Sequence, residues 1–321
     1  MELNIDLDGK LADRISKITQ EDRILFEKYI SITPIDKPGI NYENSFDYIQ
    51  MYFNLGKFQG YKYLDKKTLL IFGISGKGSK AQIKFFKPLG SDRTRSTEVL
   101  SSYISELKET YTKPITLACL SNEQFKVMKR KITVKKARNF EYFIYDLEDM
   151  NELKGAKWKN VRQKINTFRN NYPKIRVEDI SETSCKKVIH FISEWRRDAA
   201  ARGFSYIDIE KNKAGTIYYK NKIDNKLVWG KVYYLKGKVE AFQLLFKLAT
   251  SPEIRACGHA IGMVNNNIAG LSEYTQINVW QFVKEYGIRY VNDGPSWRPG
   301  LKRYKKKFNP CGVQLSIECK V

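Results

Sequence analysis

The sequence predicts a mixed α/β (α+β) chain of two tandem units, each built on a mainly antiparallel central sheet. Three observations carry that expectation. The length, 321 residues, suits two units better than one small domain. A pattern of helices, an antiparallel hairpin, a further helix and a further strand occurs once in each half. The charge is divided as well: residues 1–150 hold 25 basic against 20 acidic side chains, whereas residues 151–321 hold 32 against 15. The boundary is therefore expected near residue 150, with a nearly balanced unit at 1–150 and a strongly basic one at 151–321.

In the first unit, Leu11, Ile15, Ile18, Leu25, Phe26 and Tyr29 fall at roughly helical spacing. The pattern breaks near Thr19, where Thr-Gln-Glu-Asp reads as a new helix start, so two short helices are expected over Leu11–Tyr29. Phe46–Phe53 is aromatic and fits helix or strand. Tyr61–Leu64, Thr68–Gly73 and Ala81–Lys87 are short β-branched or aromatic runs separated by turn residues, which predicts a three-strand antiparallel meander. Gly73, Gly76 and Gly78 match a GxxGxG pattern within it. A phosphate-cradling loop needs a helix N-terminus behind it, and these glycines lie between two predicted strands, so they are read as a hairpin turn. A helix over Ser96–Tyr111, a strand at Leu117–Leu120, a helix at Asn122–Met128 and a strand at Phe140–Leu147 complete the unit.

The second unit begins with eight basic residues and no acidic one between Lys154 and Val177. Trp158, Val161, Ile165 and Phe168 recur at steps of three and four, so one face packs while Lys157, Lys159, Arg162 and Lys164 point outward. That is a cationic amphipathic helix with a narrow apolar stripe, suited to a wall facing phosphates. Helices follow at Cys185–Ala201 and Lys211–Tyr219, then a hairpin of Val228–Leu235 and Val239–Leu248 about Lys236-Gly237-Lys238. Glu240 sits before a strongly apolar run, as a strand-edge charge or a buried base. Ala256–Asn267 contains His259, a residue type that is more often a satisfied core side chain than a catalyst. A helix over Glu273–Tyr286 and a strand at Tyr290-Val291-Asn292 deliver Asp293 to a sheet edge.

The stretch Asn292–Pro310 concentrates the candidate chemistry. Gly294, Pro295, Pro299 and Gly300 place Asp293 and Trp297 on turns. Six cations then fall within ten residues, Arg298, Lys302, Arg303, Lys305, Lys306 and Lys307, interleaved with Tyr304 and Phe308. Cations that release counterions from phosphates and aromatic faces that accept bases suit a nucleic acid. A solvated helix and a closing strand would give the same pattern. The formal net charge of +22 attracts nucleic acid or an anionic membrane surface.

Five scattered cysteines without a CxxC pair, and two histidines, argue against a structural zinc site or a disulfide framework and for reduced thiols in a cytoplasmic protein. No metal or resident cofactor is expected. The polar N-terminus does not resemble a secretion signal, and no run approaches the roughly 18 apolar residues of a membrane span.

The segments FFKPLGSD, LKGAKWKNVRQKINTFRNNYP, INVWQFVKEYGIRYVNDG and GLKRYKKKFNP make the chain resemble, nearly end to end, the C-terminal domain of phosphatidylglycerol lysyltransferases and their soluble relatives. The end of the chain is also similar to the Fem-type peptidoglycan-bridge transferases. The resemblance implies tandem Gcn5-related acetyltransferase folds and an acyltransferase that takes an aminoacyl group from charged tRNA, typically to a lipid headgroup. Two departures stand out: the membrane-spanning flippase region of the lipid-modifying members is not in this sequence, and their acidic pair with Asp-Leu-Gly is replaced by Asn292-Asp293-Gly294-Pro295-Ser296. The acceptor is therefore open among a peptide, a small molecule and a lipid headgroup, the last reached by peripheral contact with an anionic membrane.

On this reading Asp293 is the acid/base candidate with Glu240 behind it. Lys305, following Tyr304 as in the Fem-type aromatic-Lys pair, is the cation for the oxyanion or the terminal phosphate. Lys159, Arg162, Lys164, Arg169, Arg298, Lys302 and Arg303 are expected to hold tRNA phosphates, and Trp158, His259, Tyr274, Trp297 and Tyr304 to line the substrate pocket. Aminoacyl-tRNA is then a co-substrate. The alternatives are an N-acyltransferase using acyl-CoA, whose usual Arg/Gln-x-x-Gly-x-Gly/Ala turn is not found after Leu248, and a non-catalytic RNA-binding module.

Overall fold

Local sequence signals set most of the elements. Ser45 accepts a hydrogen bond from the Tyr48 amide and starts a helix over Phe46–Gly56, which settles the class of that aromatic run. Asp92 caps the helix Arg93–Thr110 through the Arg95 amide, and Ser121 with Gln124 closes a capping box at Asn122–Lys131; each cap satisfies an amide that the first turn leaves without a partner.

The computed structural model describes residues 14–34, 40, 41, 43–65, 67–76, 81–150, 153–201, 215–217, 227–250, 254–296 and 298–321. Through the first part of the chain the elements are β1 (Ile15–Lys17), α1 (Asp22–Ile32), α2 (Phe46–Gly56), β2 (Gln59–Asp65), β3 (Thr68–Ser75), β4 (Gln82–Phe85), β5 (Leu89–Gly90), α3 (Arg93–Thr110), β6 (Thr116–Leu120), α4 (Asn122–Lys131) and β7 (Lys136–Asp146). Then come α5 (Lys159–Asn171), β8 (Arg176–Asp179), α6 (Glu182–Ala201), β9 (Val228–Leu235), β10 (Lys238–Lys247), β11 (Ala256–Val264), α7 (Leu271–Glu285), β12 (Tyr290–Ser296), α8 (Pro299–Lys306) and β13 (Gly312–Lys320).

Contacts divide the chain into two units, one running up to Tyr142 and taking back Gln314–Val321, the other holding most of Phe143–Val313. In the first unit the sheet order is β1-β2-β3-β4-β6-β13, with β5 beside β3. All its recorded pairs are antiparallel except β4–β6. In the second unit the order is β12-β11-β10-β9-β8, antiparallel except for β11–β12. Each unit thus runs through three antiparallel strands, a helix and a strand parallel to the third, as β2-β3-β4-α3-β6 and as β9-β10-β11-α7-β12. The mixed α/β class with mainly antiparallel sheets holds in both.

One expectation fails. The first of the two helices expected over Leu11–Tyr29 is not found among the described residues; Ile15–Lys17 is instead β1, paired with Tyr61–Tyr63 of β2. Residues 11–13 lie outside the described residues, and pairing with the β2 edge satisfies the backbone groups of Ile15–Lys17. Gly73 lies inside β3, Gly76 turns the chain with φ of +79°, and a strand rather than a helix follows, so the hairpin reading stands; Gly78 lies outside the described residues. Of the helix expected at Lys211–Tyr219, only 215–217 is described, and it is helical.

In the second unit, Val161, Ile165 and Phe168 bury one face of α5, and Trp158 is completely buried in the same core as Tyr145, Phe168 and Trp280. Trp158 is therefore a core residue rather than a ring offered to a substrate. Trp158→Ala is expected to cost about 3–5 kcal/mol, to be read from the shift of the urea unfolding midpoint.

Candidate active site

Strand pairing brings two chemically active side chains face to face. The parallel ladder between β11 and β12 joins Ala256 with Tyr290, Cys257 with Val291 and Gly258 with Asn292. The next residue on each strand is His259 and Asp293, and His259 Nδ1 lies 3.0 Å from Asp293 Oδ1. Both are enclosed, with side-chain exposures of 4% and 8%. Gly294 follows with φ of +67°, a left-handed conformation that glycine adopts without a Cβ clash, and Asn292 Oδ1 accepts the Gly294 amide at 2.9 Å. This kink aims two successive carbonyls, those of Asp293 and Gly294, at the ammonium of Lys305, which donates to both.

Lys305 comes from α8 and is 5% exposed. Its Nζ lies 3.6 Å from Asp293 Oδ2, and its main-chain carbonyl accepts the Tyr145 hydroxyl at 3.0 Å. Burial pushes the Asp293 carboxyl up, but Lys305 and then His259 outweigh it and hold Asp293 below the usual carboxylate range. Burial lowers Lys305, and Asp293 only partly offsets that. Both values fall: for Asp293, Lys305 and His259 together outweigh burial and favour the charged carboxylate, whereas for Lys305 the single carboxylate does not outweigh burial. We take Asp293 as ionised, since a fixed ammonium and two aimed carbonyls have no use for a neutral acid.

Amides hold both nitrogens of His259 as well. Its Nε2 is 2.7 Å from Gln243 Oε1, and the Gln276 amide nitrogen is 3.0 Å from Nδ1. Gln243 in turn donates to Thr275 Oγ1 at 2.9 Å. Gln243 lies on β10, and Thr275 and Gln276 on the buried face of α7.

A second carboxylate organises the basic segments. Glu273, in the first turn of α7, has a side chain 5% exposed and pairs with Lys164 of α5 at 3.1 Å and with Lys307, just after α8, at 2.5 Å. Two basic stretches more than a hundred residues apart thus converge on one buried acid. Lys307 also lies 3.8 Å from the centre of the Tyr304 ring, and Ser272 Oγ donates to the Tyr304 hydroxyl at 2.6 Å. Burial raises the Glu273 carboxyl, yet hydrogen bonding and charge from Lys307, with Lys164, bring it below its ordinary value. A depressed folded-state value gives stability that is present above the unfolded pKa, roughly 4.3, and disappears as pH falls through the folded one. Glu273→Gln is expected to lose about 2 kcal/mol at pH 7, and the gap to wild type should close below roughly pH 4; urea midpoints at the two pH values check this.

The remaining expected residues divide between this centre and other places. Glu240 is not brought to it: the side chain accepts from Asn265 at 2.8 Å, and Glu240 lies five residues along β10 from Leu245, the register partner of His259, roughly 17 Å at the rise of an extended strand. Arg162 turns back onto the Leu153 and Gly155 carbonyls and braces the entry to α5. Arg169 lies over the Tyr274 ring at 5.6 Å, and Tyr274 packs in the core against Phe168. Lys159 and Arg303 are exposed, Arg298 and Lys302 half-buried. Trp297 lies outside the described residues. Among the described residues, no group of three or more His, Cys, Asp or Glu side chains is arranged to hold a metal, and no helix is long and apolar enough to cross a membrane.

Four participants escape a sequence reading: Gln243, Thr275, Gln276 and Glu273. A signal existed for two of them. Gln243 is a lone amide in the apolar run Ala241–Phe246, and Glu273 begins a helix whose polar positions 272, 273, 275 and 276 are too many for a purely apolar buried face.

A family model described as phosphatidylglycerol lysyltransferase, C-terminal, matches residues 50–314. No curated protein matches. Among solved structures, a conserved protein of unknown function from Bacteroides thetaiotaomicron superposes with a TM-score of 0.73 at 18% identity, covering 95% of this chain and 98% of that one. The L-PGS of Bacillus licheniformis gives 0.61 at 14% identity over 95% and 92% of the two chains. A tandem GNAT protein from the clavulanic acid biosynthesis pathway gives 0.54 at 8% identity over 96% and 97%. At these identities the likenesses establish the fold, a tandem acetyltransferase-like architecture.

Proposed function

We propose that this chain, which belongs to the phosphatidylglycerol lysyltransferase C-terminal family and so to a family of transferases, moves an aminoacyl group from charged tRNA to an amine or hydroxyl acceptor at the Asp293 centre. The observation that carries the reading is the convergence of two basic segments on Glu273 in the same unit as the enclosed Asp293, His259 and Lys305. Charged tRNA answers both features: phosphates for the cations, and an ester already activated for attack.

The acceptor nitrogen or oxygen bonds to the aminoacyl carbonyl carbon, and the ester bond to the terminal ribose oxygen breaks. The acceptor's proton passes to the Asp293–His259 pair, and a proton leaves with the ribose oxygen, so no covalent enzyme intermediate is required. In this scheme Lys305 holds Asp293 in place and in its charged form. Exposed Lys159 and Arg303, with Lys164, Arg169, Arg298 and Lys302, bind the polyanion. The acceptor is a peptide, a small molecule or a lipid headgroup, the last approached from an anionic membrane surface through the same charge. Charged tRNA places the reaction in the cytoplasm.

Filter binding of charged tRNA against salt tests the donor. Lys159→Glu and Arg303→Glu should each weaken binding and reduce the logarithmic salt slope by about one. Absence of tRNA binding at moderate salt contradicts the proposal. A thermal shift with acetyl-CoA in a chain that ignores tRNA would point to acyl-CoA as donor instead. Tight tRNA binding that survives loss of Asp293 and Lys305, without transfer by the wild type, would point to a non-catalytic RNA-binding module.

A further inference from the structure

We infer that Gln243 is a positioning residue that fixes the His259 proton on Nε2, so that the proton removed from the acceptor is received on Nδ1, the nitrogen facing Asp293. The direction of proton flow rests on the proposed transfer chemistry; the placement of the resting proton does not.

The argument follows a chain of donors and acceptors from the start of α7. The Thr275 hydroxyl donates to the Ser272 carbonyl at 3.3 Å, so its one proton is used and its oxygen is left to accept. Gln243 Nε2 donates to that oxygen at 2.9 Å. The amide is thereby oriented, and Gln243 Oε1 is the end that meets His259 Nε2 at 2.7 Å. An amide oxygen only accepts, so Nε2 carries the hydrogen. The proton that comes and goes is then the one on Nδ1: with it the ring donates to Asp293 Oδ1 at 3.0 Å, and without it, in the neutral ring, Nδ1 is the lone-pair nitrogen. The Gln276 amide nitrogen, 3.0 Å away, donates to it.

Asp293 Oδ1 waits 3.0 Å from the same Nδ1. A proton arriving at Nδ1 exchanges the Gln276 hydrogen bond for a charge-assisted one to Asp293, whose Oδ2 faces Lys305. Gln243 from β10, Gln276 from α7 and Asp293 from β12 thus face the ring, with Lys305 of α8 behind Asp293. Without Gln243, the carboxylate would draw the single proton of the neutral ring to Nδ1 and leave no base on the side of Asp293.

Gly262 on β11 protects this arrangement. A Cβ there would overlap Gln243 Oε1 and come within 3.1 Å of His259 Nε2. The position therefore has to be glycine for the amide and the ring to meet, because neither neighbour is a loose side-chain end: both are buried and bonded.

The chain has two histidines, and His190 is 77% exposed at its side chain, so it serves as an internal reference for nitrogen NMR on protein labelled at histidine. Two-bond proton–nitrogen spectra at a pH where the His259 ring carries a single proton read the tautomer directly. Wild type should show the Nε2–H form. Gln243→Met should show Nδ1–H, Gly262→Ala should move in the same direction, and Gln243→Glu, which keeps an acceptor oxygen, should restore Nε2–H. In transfer assays Gln243→Met should lower kcat about 100-fold with KM for charged tRNA unchanged, and Gln243→Glu should recover most of it. An Nδ1–H ring in wild type, or an Nε2–H ring that persists in Gln243→Met, overturns the inference. An Nε2–H wild type that switches with Gln243 yet transfers no aminoacyl group upholds the inference about the resting proton and defeats the proposed function.

Discussion

Lys305→Ala is expected to lower the free energy of unfolding by about 3–5 kcal/mol, because it leaves an enclosed carboxylate without its cation. Asp293 is 8% exposed at its side chain, so little water is at hand to replace the ammonium. The carbonyls of Asp293 and Gly294 lose a shared donor in the same step, and buried acceptors without partners add to the cost. Lys305→Arg should rescue little, since a planar guanidinium cannot place one nitrogen among two carbonyls and a carboxylate at the site of an ammonium. Urea unfolding at pH 7 measures this. A midpoint within error of wild type would mean that Lys305 is an exposed cation free to meet phosphate, the role its place in a basic run suggests.

Asp293→Asn should separate chemistry from binding. The amide keeps the shape of the side chain but removes the charge that faces both His259 Nδ1 and Lys305 Nζ. We expect the single-turnover rate of aminoacyl transfer to fall by about 10²–10⁴, the usual span for losing an acid–base group. Affinity for charged tRNA should change little, because none of the exposed or half-buried cations of α5 and α8 is altered. Equal loss of rate and of tRNA affinity would instead mark Asp293 as part of the framework that holds the binding face.

The sequence made the elements legible where local chemistry decides them. Ser45, Asp92 and Ser121 are residue types that suit helix starts, and each caps its helix, although the aromatic run after Ser45 fits helix or strand by sequence alone. The two largely apolar runs of β9 and β10 with Lys236-Gly237 between them specify a hairpin that the structure contains. Ile15–Lys17 was not legible, because only the edge of β2 makes those three residues a strand. At the site, Asp293 at a strand end and Lys305 after Tyr304 were visible as candidates, but their relation was not: a lysine in a run of six cations looks solvated, and only the kink at Gly294 and the packing of α8 turn it inward. Arg162 misleads for a similar reason, since helical spacing points it outward while the carbonyls of Leu153 and Gly155 draw it back. The amide network around His259 depends on the register of β10 with β11 and on the rotation of α7, neither of which a single sequence displays.

The most direct test of the central claim is a single-turnover assay in which the chain is mixed with tRNA carrying a radiolabelled amino acid and a panel of peptide, small-amine and lipid acceptors. The account predicts label moving from tRNA to an acceptor in wild type, abolished by prior ribonuclease treatment and reduced about 10²–10⁴-fold in Asp293→Asn. Label that stays on the tRNA with every acceptor, or transfer that proceeds equally well in Asp293→Asn, would contradict it.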